Sequence, residues 1–152
     1  MLSRKTKYAV RAMLYLAEQT RTGPIQIREI AEAERIPQKF LEAILVELKS
    51  TGLVRSRAGR AGGYELLGQP KDIALGRIFR LTEGPLALTP CVSHTAYSPC
   101  DDCEDEKTCA LKLVMKEVRD STARILDGTS LQSLIDRRRA LREAGRSLDF
   151  SI

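Results

Sequence analysis

Apolar residues recur along this chain at two spacings, and the places where the spacing changes divide it into elements. From Ser3 to Thr20, Tyr8, Ala12 and Leu16, with neighbours Ala9, Met13 and Ala17, repeat at helical spacing. This predicts a helix with Ser3 as N-cap, ended by Gly23-Pro24. A short second helix is expected from about Gln26 to Glu34, with Ile27, Ile30 and Ala31 on one face. After the tight link Arg35-Ile36, Pro37 suits the first position of a third helix, where its missing N–H costs nothing. That helix carries Phe40, Leu41, Ile44, Leu45 and Leu48 as its apolar stripe, and Gly52 stops it. Helix, short turn, helix reads as helix-turn-helix. The pattern then becomes β-prone in two short runs, Leu53–Arg57 and Tyr64–Leu67, around a Gly- and Arg-rich tip at 58–63. A basic hairpin directly after a helix-turn-helix reads as a wing.

Helical spacing returns at Ile73–Glu83, with Ile73, Ile78 and Leu81 facing inward, and stops at Gly84-Pro85. Leu86–Pro90 is expected to run extended into Cys91. From about Lys107 to Asp127 a long helix carries Leu111, Met115, Val118, Thr122, Ile125 and Leu126 at spacings of three and four, with Val114 beside them and Gly128 as the stop. Its length exceeds what one small winged domain needs and suits packing against a second copy in a homodimer. A last helix starts at Thr129-Ser130, with Arg137, Arg138 and Arg139 expected on a solvated face and a loosely ordered tail after Gly145. The expected fold class is therefore mainly α with a small β-hairpin wing. A winged helix-turn-helix occupies 1–84, a cysteine-rich loop 85–109, and a dimerisation helix with a C-terminal helix 107–145.

Charge sharpens this division. The net charge is +5, but residues 1–80 carry 15 Lys/Arg against 8 Asp/Glu, a balance of +7. Residues 81–152 carry 10 against 12, a balance of −2. The basic excess lies where phosphate would be faced. Arg4, Lys5, Lys7 and Arg11 cluster at the start of the first helix, either along a DNA backbone or on a solvated face. Arg55, Arg57 and Arg60 stand on the hairpin, where such arms enter the minor groove, and Gly59, Gly62 and Gly63 permit close backbone approach. A phosphate-binding loop is excluded because no Lys-Ser/Thr pair follows the glycines and no helix begins there. No apolar run approaches the roughly 20 residues of a membrane span. The charged start MLSRKTKYAV is not followed by an apolar signal region, so a cytoplasmic protein is expected.

All four cysteines lie between Cys91 and Cys109, at spacing C-x8-C-x2-C-x5-C. In a cytoplasmic chain such a cluster points to metal, cluster or redox switching rather than to structural disulfides. Four thiolates suit an iron–sulfur cluster or tetrahedral zinc, although the outer spacings are not those of a common zinc ribbon. A thiol switch through Cys100 and Cys103 is the other reading. The loop's acids, Asp101, Asp102, Glu104, Asp105 and Glu106, oppose it by raising thiol pKa. His94, the only histidine, is a loop residue or a substitute ligand. A thioredoxin-like enzyme would need a βαβ context around Cys100, and a single histidine leaves little general acid–base capacity, so no enzyme is expected.

Five ordered segments carry a family resemblance: LSRKTKYAVRAMLYLA, IPQKFLEAILVELKSTGLV, GRAGGYEL, IALGRIFRLTEG, and a cysteine loop leading into a long helix that ends in GTSLQSL. In these the chain resembles the bacterial winged-helix repressors that include the regulators IscR, NsrR, RirA and CymR. The resemblance implies a dimer with crossing long helices on a palindromic double-stranded DNA operator. It implies that Pro37, Lys39, Phe40, Glu42 and Lys49 lie on or near DNA. Gln38 and Lys39 would then donate to base edges or phosphate, and Glu42 would accept from cytosine N4. Phe40 has core packing as its alternative role. Ala58 stands where the family's usual wing arginine does, flanked by Arg57 and Arg60. In cluster-binding members three cysteines of this loop hold a [2Fe–2S] or [4Fe–4S] cluster. Cys91 and Cys109 match the outer two, and Cys100 or Cys103 the middle one. Lys112 replaces the histidine that IscR carries on the turn after its last cysteine. Four thiolates are thus the simplest ligand set, with [2Fe–2S] preferred and zinc the alternative.

Overall fold

The computed structural model describes residues 2–20 and 22–149. Six helices and one antiparallel hairpin follow in order: α1 (Arg4–Glu18), α2 (Ile27–Glu34), α3 (Gln38–Ser50), β1 (Val54–Arg57), β2 (Gly63–Leu66), α4 (Leu75–Thr82), α5 (Ala110–Asp127) and α6 (Leu131–Asp149). Two 3-10 turns, Pro70–Asp72 and Pro90–Val92, precede α4 and follow Thr89.

The apolar stripes read from the sequence meet in one core. Ala9, Ala12, Met13 and Leu16 of α1 pack with Ile30 and Ala31 of α2, with Leu41, Ile44, Leu45 and Leu48 of α3, and with Leu53, Val54, Ile73 and Ile78. α6 returns to this core through Leu131. Ser3 caps α1 by accepting from the Thr6 amide at 3.2 Å. Arg35 ends α2 in the left-handed region, φ 50°, the non-glycine residue that takes a positive φ among those described. That turn aims α3 across α2 as a helix-turn-helix requires.

The hairpin pairs Val54 with Leu66, Arg55 with Glu65, Ser56 with Tyr64 and Arg57 with Gly63. It is also fastened to the chain ahead of α2. The Ile25 amide donates to the Tyr64 carbonyl and the Tyr64 amide to that of Ile25, both at 2.8 Å.

Several boundaries differ from the expectation. Pro37 is the N-cap of α3, not its first residue, because the Phe40 and Leu41 amides already bond back to its carbonyl. α4 begins at Leu75 rather than Ile73, since Ile73 and Ala74 are drawn into an extended bridge with Thr129–Leu131. The stretch 86–90 forms no strand, and Pro90–Val92 coil into a 3-10 turn. α5 starts at Ala110 because Asp105 holds the Lys107 amide in a loop turn. α6 continues past Gly145 to Asp149, so the expected loose tail is helical that far; residues 150–152 lie outside those described. Arg138 is not on a solvated face, because it reaches Glu18 at 3.2 Å and Glu34 at 3.8 Å across the head.

Candidate nucleic-acid interface and cysteine loop

α3 buries one side and leaves the other bare. Pro37, Gln38, Lys39, Phe40, Glu42, Val46 and Lys49 are all exposed. Helical spacing explains this, since Leu41, Ile44, Leu45 and Leu48 take the inward positions. Gln38 Nε2 donates to Glu42 Oε1 at 3.3 Å, so two residues expected to read bases hold each other in place. Phe40 divides its ring between two environments. It is 44% exposed, yet it stands in a T-shaped pair with Tyr8, centroids 5.6 Å apart at 86°. Lys5 is not a free cation, because its Nζ lies 2.7 Å from Glu47 Oε2 and ties α1 to α3.

On the wing the arginines separate. Arg55 Nε donates to Glu65 Oε1 at 2.9 Å, since the strand register sets the two side by side. Arg57 and Arg60 are exposed and meet no acidic partner among the described residues. Gly62 and Gly63 serve the wing itself. A Cβ on Gly62 would collide with the Arg57 carbonyl, and one on Gly63, at φ 147°, with that of Ile25. Their lack of side chain lets the tip close and the bridge to Ile25 form. Gln26, which was not singled out from the sequence, supports the tip by donating to the Arg60 carbonyl at 3.2 Å. Its place just before α2 gives no local signal of that role.

The cysteines fall into two pairs by position. Cys91 is buried within the turn Pro90–Val92, and Cys109 is the N-cap of α5. Cys100 and Cys103, half-buried, lie on the limb between them, with the Cys103 amide donating to the Cys100 carbonyl at 3.3 Å. All four thiols are free. The Cys91 thiol donates to Thr89 Oγ1 at 3.5 Å. Its nearness is the first cause that raises the Cys100 pKa, with desolvation and the charges of Cys91, Cys103 and Asp102 adding to it. Desolvation, then the charges of Cys109, Glu106 and Cys91, raises that of Cys103. Both Cys91 and Cys103 lie close enough to Cys100 to act on its thiol.

One polar network fixes the loop. Tyr97 donates to Glu106 Oε1 at 2.7 Å, and Lys112 Nζ lies 2.5 Å from Glu106 Oε2. One carboxylate thereby joins both limbs of the loop to the first turns of α5. Lys112 holds that carboxyl below the usual range, and Glu106 raises the Tyr97 hydroxyl above its own. The other loop acids stand out in solvent. His94 is exposed and turns to a small cavity beside Arg80, Arg119 and Ala123. Among the described residues no three His, Cys, Asp or Glu side chains converge as a ready metal site. In donor chemistry the thiols still suit iron–sulfur or zinc, since four sulfurs issue from one short loop.

α5 contributes no apolar side chain to the core, and its buried residue is Arg119. Leu111, Val114 and Ile125 are 61%, 52% and 63% exposed along one stripe. The helix is joined to the head at its far end. Arg80 of α4 grips Asp127 through both nitrogens, at 2.6 and 2.8 Å, which holds the Asp127 carboxyl below its usual range. Gly76 makes this possible, because a Cβ there would strike Asp127 Oδ1. No helix among the described residues is long and apolar enough to cross a membrane.

Known proteins share this arrangement. The family profile Rrf2, described as an iron-dependent transcriptional regulator, matches residues 2–137. The chain is 41% identical over 138 residues to an rrf2-like HTH-type transcriptional regulator of Rhodobacter capsulatus, covering 89% of this chain and 92% of that one. With the HTH-type transcriptional regulator CymR of Bacillus subtilis it shares 32% identity over 133 residues, 88% of each chain. The solved structure of CymR, described as the global cysteine regulator of B. subtilis, superposes with a TM-score of 0.73 at 31% identity over 90% of this chain and 97% of that one. IscR of T. potens superposes with a TM-score of 0.69 at 29% identity, over 91% and 88%. The relatives are regulators and not enzymes, in keeping with the single histidine and the missing βαβ frame. The chain belongs to the Rrf2 family of winged helix-turn-helix transcriptional regulators.

Proposed function

We propose that this regulator acts as a cytoplasmic homodimeric repressor whose cysteine loop reports iron–sulfur status, oxidant or nitric oxide. Two copies pair along the exposed stripe of α5 and set two heads on a palindromic operator. Lys39, the Gln38–Glu42 pair, Phe40 and Lys49 face the major groove and its rims, with Pro37 at the helix start. Arg57 and Arg60 reach the backbone or the minor groove beside it. The observation that carries the sensing part is the position of the four cysteines, on one loop that closes at the N-cap of the helix with the unpartnered apolar stripe.

Cys91, Cys100, Cys103 and Cys109 are the thiolates that would hold a cluster, [2Fe–2S] in preference to [4Fe–4S]. When bound, such a cluster supplies a centre that oxidants and nitric oxide attack. The protein's part is to fix the outer thiols on rigid elements, leave the inner two on a pliable limb, and tie that limb to α5 through Glu106 and Lys112. Anaerobic purification followed by visible absorbance and iron, sulfide and zinc analysis tests this reading. The expected result is coloured protein with iron and sulfide. Colourless protein with stoichiometric zinc overturns the cluster and leaves the repressor.

A thiol switch is the second reading, favoured by four free thiols on one loop, with Cys91 and Cys103 both near Cys100. The raised pKa of Cys100 works against it. Metal-free protein treated with peroxide and mapped without reductant decides the matter, since a switch yields a disulfide from Cys100 to Cys103 or to Cys91. Unchanged free thiols remove it.

A further inference from the structure

Arg119 is buried to 9% exposure on a helix whose apolar side chains are half-buried or bare. Burying a guanidinium costs several kcal/mol unless its donors are matched, so an arginine retained there has specific work. Its donors are matched. Nη1 donates to the Val92 carbonyl at 2.5 Å, across 27 residues of chain. Nε donates to Asp120 Oδ1 at 2.8 Å, and Nη2 grips the same oxygen. Val92 directly follows Cys91 and closes the 3-10 turn that buries it. Arg119 lies ten positions beyond Cys109, or about 15 Å down the helix at the usual rise. The two outer cysteines are thus held by two separate points of one helix, Cys109 by its start and Cys91 by its middle.

We propose that Arg119 is the positioning residue that couples the cysteine loop to the dimer helix. It keeps the Cys91 turn on α5, so that a change at the sulfurs is felt in the middle of that helix rather than absorbed in the loop. Cys100 and Cys103, on a limb tied to the first turns of α5 through Glu106 and Lys112, take up the change of geometry. The proposal rests on the reading of the loop as a sensor, but the first arm of its test needs neither DNA nor a bound cluster.

The test uses full-length, metal-free, reduced protein. Iodoacetamide labelling is followed at each cysteine by mass spectrometry. Cys91 is expected to react slowest in the wild type. Arg119→Met keeps the length of the chain and removes the donors, and should speed Cys91 about tenfold, the factor that a hydrogen bond from a charged donor ordinarily carries. Cys109 should keep its rate. Arg119→Lys retains one donor for the Val92 carbonyl and should recover most of the protection. Asp120→Ala, on the helix surface, removes the second partner of the guanidinium, and about a threefold rise is expected even if Arg119→Met folds poorly. The second arm reads hydrogen exchange across residues 112–122 with thiols free and thiols blocked. In the wild type, blocking should raise exchange there; in Arg119→Met, exchange should already be high and indifferent to blocking. An unchanged Cys91 rate in folded Arg119→Met and Asp120→Ala, or an α5 response equal to the wild type, overturns the proposal. Absence of iron and sulfide from anaerobic protein would count against the cluster alone and leave both arms unaffected.

Discussion

The head and the sensor half of this molecule are built on different principles. From α1 to α4 the elements are joined by buried aliphatic side chains, among them Leu41, Leu45, Leu48 and Ile78, each inaccessible to solvent. From Cys91 to Asp127 they are joined by charged and polar contacts: Arg119 to the Val92 carbonyl, Glu106 to Lys112 and Tyr97, Arg80 to Asp127. Aliphatic packing is non-directional and tolerates little rearrangement, because any gap costs contacts on both sides. Polar contacts can be exchanged for water or for other partners at small net cost. The head is therefore a body of fixed shape. The half from Cys91 to Asp127 is one whose arrangement would, under the proposed function, be conditional on a second copy on its apolar stripe and a ligand on its thiols.

The comparison is most sharply broken in the core. Leu48→Ala should destabilise the head by about 2–5 kcal/mol, read by thermal or denaturant unfolding. A loss below about 1 kcal/mol would mean that the head is not held by this packing. Next in size is Ile125→Asp on the exposed stripe of α5. Dimerisation should weaken by about 2 kcal/mol, a factor of about thirty in sedimentation equilibrium, while hydrogen exchange in α1–α3 stays as it was. Loss of protection in the head would show that the two halves are not separable.

Smaller effects are expected on the wing. Arg57→Ala and Arg60→Ala should each lower the slope of log affinity against log salt by about 1, in anisotropy titrations on duplex DNA. Arg55→Ala should change the slope less, since Glu65 already neutralises that guanidinium. Equal slopes for the three variants would undo the distinction.

The smallest effect concerns Glu83 at the end of α4, which accepts from the Ser3 amide at 2.8 Å and from the Thr6 hydroxyl at 2.5 Å. These bonds lower its pKa from 4.5 to about 2. The folded protein binds this proton less readily than the unfolded chain does. The contribution is therefore complete above about pH 4.5 and is lost as pH falls toward 2. Glu83→Gln should flatten the pH dependence of stability in that window and nowhere else. A slope identical to the wild type would show that the contact carries nothing.

The head was legible in the sequence because its signals are local. Leu41, Ile44, Leu45 and Leu48 announce α3 by spacing, and the glycines between two β-prone runs announce the wing. The start of α4 was misread because Ile73 continues the apolar pattern while its backbone is claimed by Thr129–Leu131, far along the chain. Of the candidate DNA-facing residues, Lys39 and Lys49 are exposed, whereas Lys5 and Arg55 are engaged by Glu47 and Glu65, partners that only the fold brings near. Arg119 escaped notice for the same reason, although it stands four residues from Met115 and three from Thr122, which is inward spacing for a charged side chain. In the loop the spacing identified the thiols, but C-x2-C describes distance along the chain and gives no sign that the fold also brings Cys91 near Cys100.

The two backbone bonds between Ile25 and Tyr64 have a mechanical consequence. They make the wing a continuation of the segment that leads into α2, so reading helix and wing cannot swing apart. A dimer of such heads, as proposed, would work as a calliper, with rigid jaws and the gap between them as the adjustable quantity. Operators would be sorted by the separation and helical phase of their two halves, and a signal that opens the gap by even a fraction of a turn would reject every site at once, whatever its bases.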